Sequence, residues 1–381
     1  RQAVRYITER EQLAVFSPDD MTATNSGEPI AVMDVLRAKH PMPTSLSAAD
    51  LPSFPAPPPA LPRLHITDDV LARAATRLSG ACGPSGVDGP TFKALALYHR
   101  EASTSLRAAY GKLAAWLANT NVLWAAIRAL KLKRGLAFNK FPGIRPISAG
   151  NIDDRYIAKV ILAVAGPSAT EAAGVANLAA GLPAGIEGAI HAAHSAWNSH
   201  SDDDNFGFLL IDARNAFNEL DRNMMLYVVR HIWPQGARFL YNSYKHWALI
   251  RYHDPIAGTA TTLFSATGVT QGDPMATTAY CLTLVPLSQQ LQLEFPQLLQ
   301  LWVADDNSSA GPFGQLKMYF NRIVSLGRPY GFHVQPTKCK LVTSVNNFPR
   351  AQAFFRARTS SVTVVAGARL LGSYLGPAPQ T

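Results

Sequence analysis

The chain has 381 residues, 48% of them hydrophobic, which excludes wholesale disorder and allows one large domain or two to three ordinary ones. Only 16% are charged, yet Lys plus Arg outnumber Asp plus Glu by 35 to 26, a net charge of +9. That balance points to a polyanionic partner, with a basic soluble enzyme as the plain alternative. Three scattered cysteines (Cys82, Cys281, Cys339) form neither a disulfide framework nor a CxxC metal pair. A reducing, intracellular compartment is therefore expected, nucleus or cytoplasm left open. The most apolar run, 157–167, carries Lys159 and falls short of the roughly 20 residues of a bilayer span, so no membrane partner is expected. Arg1 to Arg5 show neither an initiator Met nor a signal core, as expected of a segment of something longer.

In chain order, Pro29-Ile30 introduces a short helix through Val32, Val35 and Leu36, with Asp34 and Arg37 facing away. Residues 41–63 hold eight prolines and read as an extended linker or a strap, leaving 1–40 as an N-terminal extension. Asp68-Asp69 caps a helix through Leu71, Ala74 and Leu78, and 103–130 read as one or two Ala/Leu-rich helices. Then come Arg128, Lys131, Lys133, Arg134, Lys140 and Arg145 with no acid among them, the strongest basic cluster of the chain. Its plain reading is a solvated face.

Phe206 to Ile211 predicts a buried strand, and Asp221 starts a helix that runs through Met225, Val228 and Val229 to Ile232. Asp273-Pro274 opens another helix, the aspartate as cap and the proline in the first turn. Leu299 to Ala304 is a predicted strand running into Asp305-Asp306-Asn307. A helix carrying Leu316, Tyr319, Phe320 and Ile323 follows Gly311-Pro312, and Ser361 to Leu375 reads as a hairpin turning at Ala366-Gly367. Asp212 and Asp305-Asp306 thus close two apolar strands. Carboxylates fixed at strand mouths suit a hard divalent cation, although either one alone is more often a turn residue.

Taken in order, these motifs resemble the right-handed palm of reverse transcriptases, most nearly those of non-LTR retrotransposons, over Gly83 to Gly376. Gly83-Pro84-Ser85-Gly86-Val87-Asp88-Gly89 looks like the early fingers loop, and Phe141-Pro142-Gly143-Ile144-Arg145-Pro146-Ile147 like the fingers segment with its Arg-Pro-Ile core. Asp212 to Asn218 resembles motif A, Gln271-Gly272-Asp273-Pro274 motif B and Ala304-Asp305-Asp306 motif C. Gly331 to Lys338 resembles motif D, and Leu371 to Gly376 motif E. The resemblance implies an α+β fold of fingers (64–205) and palm (206–360), an antiparallel palm sheet backed by helices, and a primer-grip-like hairpin at 361–381. With five residues after Gly376, the thumb is expected to be absent or truncated.

Carried over by position, Asp212, Asp305 and the Ala213 carbonyl hold two Mg²⁺ ions (Mn²⁺ as a possible substitute), with Asp306 a weaker ligand. Phe217 floors the sugar pocket against a 2′-hydroxyl, Gln271 and Gly272 meet the nascent pair, and Arg145 grips the triphosphate. Lys338 protonates pyrophosphate, with a surface lysine as the plain reading. Lys131, Lys133, Arg134 and Lys140 are candidates for nucleic acid, and Tyr374 for the primer. Val303, Asn218 and Gln335 depart from the family pattern without removing a metal ligand. The implied activity is RNA-directed DNA synthesis from dNTPs on an RNA template with a DNA or RNA primer, within a retroelement-type polyprotein. Two alternatives stand beside it: an RNA-directed RNA polymerase, which Phe217 disfavours, and a catalytically silent nucleic-acid-binding scaffold. His191, His194 and His200 with Asp202 to Asp204 have no metal-site spacing, and Gly181-Leu182-Pro183-Ala184-Gly185 resembles a phosphate loop in glycine content only.

Overall fold

The computed structural model describes residues 15–24, 27–140, 143–200, 202–253, 258–355 and 362–377. Phe141 and Pro142 of the fingers motif lie outside them, as does Ser361 at the start of the expected hairpin. The elements begin with β1 (Val15–Phe16), β2 (Met21–Ala23), β3 (Pro29–Ala31), α1 (Val32–Lys39), α2 (Asp68–Thr76), α3 (Gly89–Leu97) and α4 (Arg100–Asn119). Next come α5 (Trp124–Ile127), β4 (Lys133–Asn139), β5 (Ile144–Gly150), α6 (Ile152–Ala173), α7 (Gly185–His200), β6 (Phe206–Ile211) and α8 (Ala216–Glu219). They continue with α9 (Arg222–Ile232), α10 (Pro234–Tyr244), β7 (Ala248–His253), β8 (Ala260–Ser265), α11 (Ala276–Glu294), β9 (Leu299–Val303) and β10 (Asp306–Pro312). The last are α12 (Phe313–Leu326), β11 (Lys340–Val342), α13 (Phe348–Phe355), β12 (Thr363–Val365), β13 (Ala368–Leu370) and β14 (Ser373–Leu375). The chain divides into two units, one of Arg1–Ser45, Ala60–Gly166 and Pro234–Ala276, the other of Leu46–Pro59, Pro167–Trp233 and Thr277–Thr381.

The first unit is built on β4, which pairs antiparallel with β5 along its whole length. Its other edge is shared by β1, antiparallel, and β7, parallel, with β8 beyond β7. Burial alternates along β4, turning Lys133, Gly135 and Ala137 inward. Gly135 is required there, because a Cβ would lie 2.5 Å from the ring of Tyr252. Helix α1 buries Val32, Met33 and Leu36 in a core with Ala137, Ile144, Ile250 and Tyr252, while Asp34 and Arg37 pair in solvent, as the apolar spacing predicts. Phe92, Tyr110 and Tyr156 form an aromatic cluster among α3, α4 and α6, with ring centroids 5.2–5.4 Å apart.

In the second unit the strand order is β12-β11-β6-β10-β9. β6 lies antiparallel between β11 and β10, and β10 pairs antiparallel with β9, whereas β12 joins β11 in parallel. The apolar run Phe206 to Ile211 forms β6 as predicted. β10 reads Asp-Asn-Ser-Ser-Ala-Gly-Pro, and five of its seven residues are buried. Ala189, Ala193 and Trp197 of α7 pack with Phe208, Leu301, Val303 and the hairpin residues Leu370 and Leu375. Two expectations are corrected here. The terminal hairpin is β13–β14 and turns at Leu371-Gly372, whose φ values of 50° and 88° match a two-residue primed turn, not at Ala366-Gly367. The residues before Ala366 leave the hairpin because β12 is drawn to β11.

Residues 46–59 belong to this second unit as a strap on α9. Phe54 stacks on His231 with centroids 4.3 Å apart, Tyr227 Oη donates to the Pro52 carbonyl over 3.3 Å, and Arg230 donates to the Pro59 carbonyl. Proline, having no N–H to satisfy, suits such a surface path. Asp221 caps α9 by accepting from the Met224 N–H at 2.8 Å, and Pro234 lies just past its end.

Candidate active site

β6 and β10 set the arrangement of the carboxylates. Their register pairs Ile211 with Asn307, so Asp212 and Asp306 are the next residues at the same end of adjacent strands. Asp305 stands in the tight turn between Val303 and Asp306, which are themselves paired across β9 and β10. Asp212 and Asp305 are half-buried and Asp306 is exposed. The negative field they make is felt by Tyr280, whose phenol is pushed well up by burial first, then by Asp305, Cys281, Asp306 and Glu219.

The backbone after Asp212 is pinned on one side. Ala213 bridges Val334, but the bonds run from the Gln335 N–H to the Asp212 carbonyl (2.9 Å) and from the Arg214 N–H to the His333 carbonyl (2.7 Å). The Ala213 carbonyl is not used by this bridge. Gly331, which the motif places nearby, has a φ of +74° and no room for a Cβ, which would lie 2.0 Å from the Glu219 carbonyl oxygen. Lys338 is exposed on a short 3-10 turn whose closing bond runs to Gln335, one hydrogen-bond step from Asp212.

Two buried thiols line the same region. Burial pushes Cys339 up to about 11, with the Asp212 charge raising it and a backbone hydrogen bond with Asp212 lowering it. Burial pushes Cys281 up to about 12, where Asp305 raises it and a backbone hydrogen bond with Ala304 lowers it. Phe217, half-buried on α8, stacks on Tyr280 with centroids 4.7 Å apart and planes 13° from parallel. Tyr280 and the two thiols are site neighbours that the sequence motifs do not mark; only the stacking partner and the burial reveal them.

Two carboxylates and a carbonyl are hard oxygen donors of the kind Mg²⁺ prefers, and in that chemistry the site fits the ion. Among the described residues no three His, Cys, Asp or Glu side chains gather as a metal cluster, and Asp212 and Asp305 stand half-buried with Asp306 exposed beside them.

The basic residues expected to meet triphosphate and nucleic acid, Lys131, Lys133, Arg134, Lys140 and Arg145, lie in the first unit and divide sharply. Arg145 is exposed on β5, opposite Phe138. Arg134 lines a cavity of about 680 Å³ together with Phe16, Gly83, Gly86, Arg251 and His253, with no acidic residue among the described residues of its wall. Lys140 is exposed at the end of β4.

Lys131 and Lys133 correct the expectation, being 3% and 4% exposed. Lys131 Nζ donates to Asp154 at 2.5 Å and Ser243 at 2.8 Å and lies over the Phe239 ring, and Lys133 Nζ reaches Asp273 at 3.5 Å. Asp273 also accepts from Tyr244 Oη at 2.6 Å and from the Met275 N–H at 2.9 Å, closing the turn that precedes α11, which starts at Ala276 and not at Pro274 as expected. Burial acts to raise its pKa, and Lys133, Tyr244, Lys131 and that N–H together hold it below the usual carboxylate range.

Gly272 has a φ of +108°, and a Cβ there would lie 2.7 Å from the Ser148 carbonyl oxygen, while the Ser148 N–H donates to Gln271 over 2.9 Å. Motif B is thereby sewn to β5. In the second unit Tyr374 is half-buried and covers Gly367, where a Cβ would meet its hydroxyl at 2.7 Å.

No protein-family model and no curated protein matches the chain. Among solved structures it is similar to telomerase from Candida albicans in complex with a fragment of telomeric RNA, at 11% identity and a TM-score of 0.45 over 68% of this chain and 47% of that one. It is also similar to apo telomerase from Candida tropicalis, at 10% identity and a TM-score of 0.44 over 57% of this chain and 44% of that one. A form of the latter truncated from its C-terminal domain gives 10% and 0.41 over 56% and 50%. The chain spans about half the length of the structures it matches. Among the described residues no helix is long and apolar enough to cross a membrane.

Proposed function

We propose that the chain is an RNA-directed DNA polymerase of reverse-transcriptase type, from a retroelement-type polyprotein. In this reading the second unit supplies the palm and the first the fingers. The observation that carries it is the placement of Asp212 and Asp305 at one end of neighbouring antiparallel strands, in the order and context of motifs A and C. Asp212, Asp305 and the Ala213 carbonyl hold Mg²⁺, which when bound neutralises phosphate charge and favours ionisation of the attacking hydroxyl.

The chain's own residues do the rest. Arg145, exposed and planar-forked, grips triphosphate oxygens, and Arg134 with Arg251 and His253 offers a cationic wall to template phosphates. The Phe217 ring, backed by Tyr280, is a rigid apolar floor that rejects a ribose 2′-hydroxyl and so favours dNTPs over NTPs. In this reading Lys338 gives a proton to departing pyrophosphate.

The test is extension of a primer on an RNA template with Mg²⁺ and either dNTPs or NTPs. Extension with dNTPs that is abolished by Asp305→Asn supports the reading, and Phe217→Ala admits ribonucleotides. Equal extension by parent and Asp305→Asn overturns the assignment of the carboxylates. Extension with NTPs alone identifies an RNA polymerase, and RNA binding without any extension identifies a silent scaffold.

A further inference from the structure

Ala304 begins the turn that presents Asp305, and its φ is +52°, a left-handed conformation that an L-residue other than Gly, Asn or Asp rarely takes. Something must hold it. Asn177, 0% exposed in the loop after α6, accepts the Ala304 N–H through Oδ1 at 3.1 Å and donates from Nδ2 to the Ala304 carbonyl at 3.2 Å. The same Oδ1 accepts the Ala179 N–H at 3.2 Å, and the Leu178 N–H reaches the Trp302 carbonyl at 2.8 Å.

The loop itself is braced. Thr170 Oγ1 donates to the Ala180 carbonyl, Gly181 has a φ of +96°, and a Cβ on Gly185 would lie 2.5 Å from the Leu178 carbonyl oxygen. The glycines of the 181–185 loop, which resemble a phosphate loop only in composition, have a structural use here. They let the segment fold tightly enough to aim one carboxamide at one peptide unit.

We infer that Asn177 is a positioning residue for the catalytic turn, clamping both polar groups of Ala304 so that the Asp305 carboxylate stands where a divalent cation can use it. The inference rests on the polymerase reading and deepens it. A residue that orients a metal ligand typically changes metal affinity or activity 10- to 100-fold when removed. A buried amide that only supported the fold would change stability and leave metal affinity alone.

The experiment compares parent, Asn177→Ala, Asn177→Asp, Ala304→Gly, the double variant Asn177→Ala/Ala304→Gly, and Asp305→Asn. Mn²⁺ binding is read by electron paramagnetic resonance, primer extension is measured over a Mg²⁺ titration, and thermal unfolding is followed separately. Asn177→Ala is expected to weaken Mn²⁺ binding about tenfold or more and to lower kcat by a similar factor, with less than about threefold change in KM for dNTP. Glycine at 304 tolerates the left-handed backbone, so the double variant recovers thermal stability but not Mn²⁺ affinity. Asn177→Asp, which keeps the acceptor and loses the donor, gives the same reading should the alanine variant fail to fold.

Mn²⁺ affinity within twofold of the parent in a folded Asn177 variant overturns the role of Asn177 while leaving the polymerase reading intact. A parent that binds no Mn²⁺ and extends no primer overturns the polymerase reading and this inference with it.

Discussion

At the start of β4, Lys131 and Lys133 are turned into the first unit, where Asp154 and Asp273 meet them. In the second unit Asp212, Asp305 and Asp306 stand at the mouths of β6 and β10, half-buried or exposed, and the charges of Asp305 and Asp306 add to the burial that pushes the Tyr280 phenol up. The same sequence-level signal, clustered charge of one sign, therefore has two physical outcomes. Buried lysines that carry their own counter-ions are part of the fold. Carboxylates grouped at strand ends in partial contact with water are the groups to which the proposed function assigns a divalent cation. Two of the lysines of the basic cluster are thus neutralised internally by acids of the same unit, which leaves the net charge of +9 unchanged, while Arg145 and Lys140 are exposed and Arg134 lines the cavity.

The contrast breaks most visibly at the carboxylates. Asp212→Asn is expected to lower primer extension more than about 10³-fold, roughly 4 kcal/mol of barrier, with the unfolding midpoint unchanged or raised. Single-turnover kinetics and a denaturant titration on the same preparation check both halves. Lys131→Ala should do the opposite. It strands Asp154 in the core and costs about 3 kcal/mol of stability, while nucleic-acid affinity per folded molecule and its salt slope stay as in the parent. Urea unfolding and filter binding separate the two, and a lowered salt slope would return Lys131 to the binding surface.

A pH effect sharpens the first unit further. His40 is pushed down to about 4 by burial and lies 3.0 Å from the Tyr252 hydroxyl. Its folded-state pKa is below the unfolded one, so the unfolded chain binds more protons between about 4 and 6.5. Stability from this group is full above about 6.5 and falls as pH drops towards 4, by at most about 3 kcal/mol. Unfolding followed from pH 7 to 4 shows this slope, and His40→Gln flattens it. The smallest effect belongs to Phe217→Ala, expected to lower dNTP-over-NTP discrimination roughly tenfold and to cost about 1 kcal/mol of stacking on Tyr280. Competition between the two nucleotide classes measures it.

How far the sequence reaches depends on what each residue's surroundings add. β6, β9, α1, α9 and α12 follow from apolar periodicity and capping residues, because their own side chains decide them. β10 does not. Asp-Asn-Ser-Ser-Ala-Gly-Pro has little strand propensity, and it is a strand because β6 and β9 satisfy its backbone on both edges.

In the same way, Lys131 reads as a binding residue until Asp154, 23 positions away, is seen beside it. Asp212 and Asp305 are legible as a pair only through the ordered motifs. The Tyr280 floor under Phe217 and the Asn177 clamp are not legible at all, since they are contacts between segments far apart in the chain. The terminal turn departs from the sequence signal for a related reason: Ala366-Gly367 carries that signal, but the pairing of β12 with β11 moves the reversal to Leu371-Gly372.

The burial of two thiols has a practical consequence for labelling. Cys281 and Cys339 adjoin the carboxylates, yet both are buried and stay protonated at neutral pH, so a maleimide or nitroxide reagent has no thiolate to attack there. Cys82, partly exposed beside Arg134 on the cavity of the first unit, is the one remaining thiol. A native chain should therefore take up one equivalent of reagent and the denatured chain three. The wild-type sequence thus carries a single addressable probe site on the cavity lined by Arg134, from which the proposed binding of RNA can be tested by spectroscopy without engineering a cysteine.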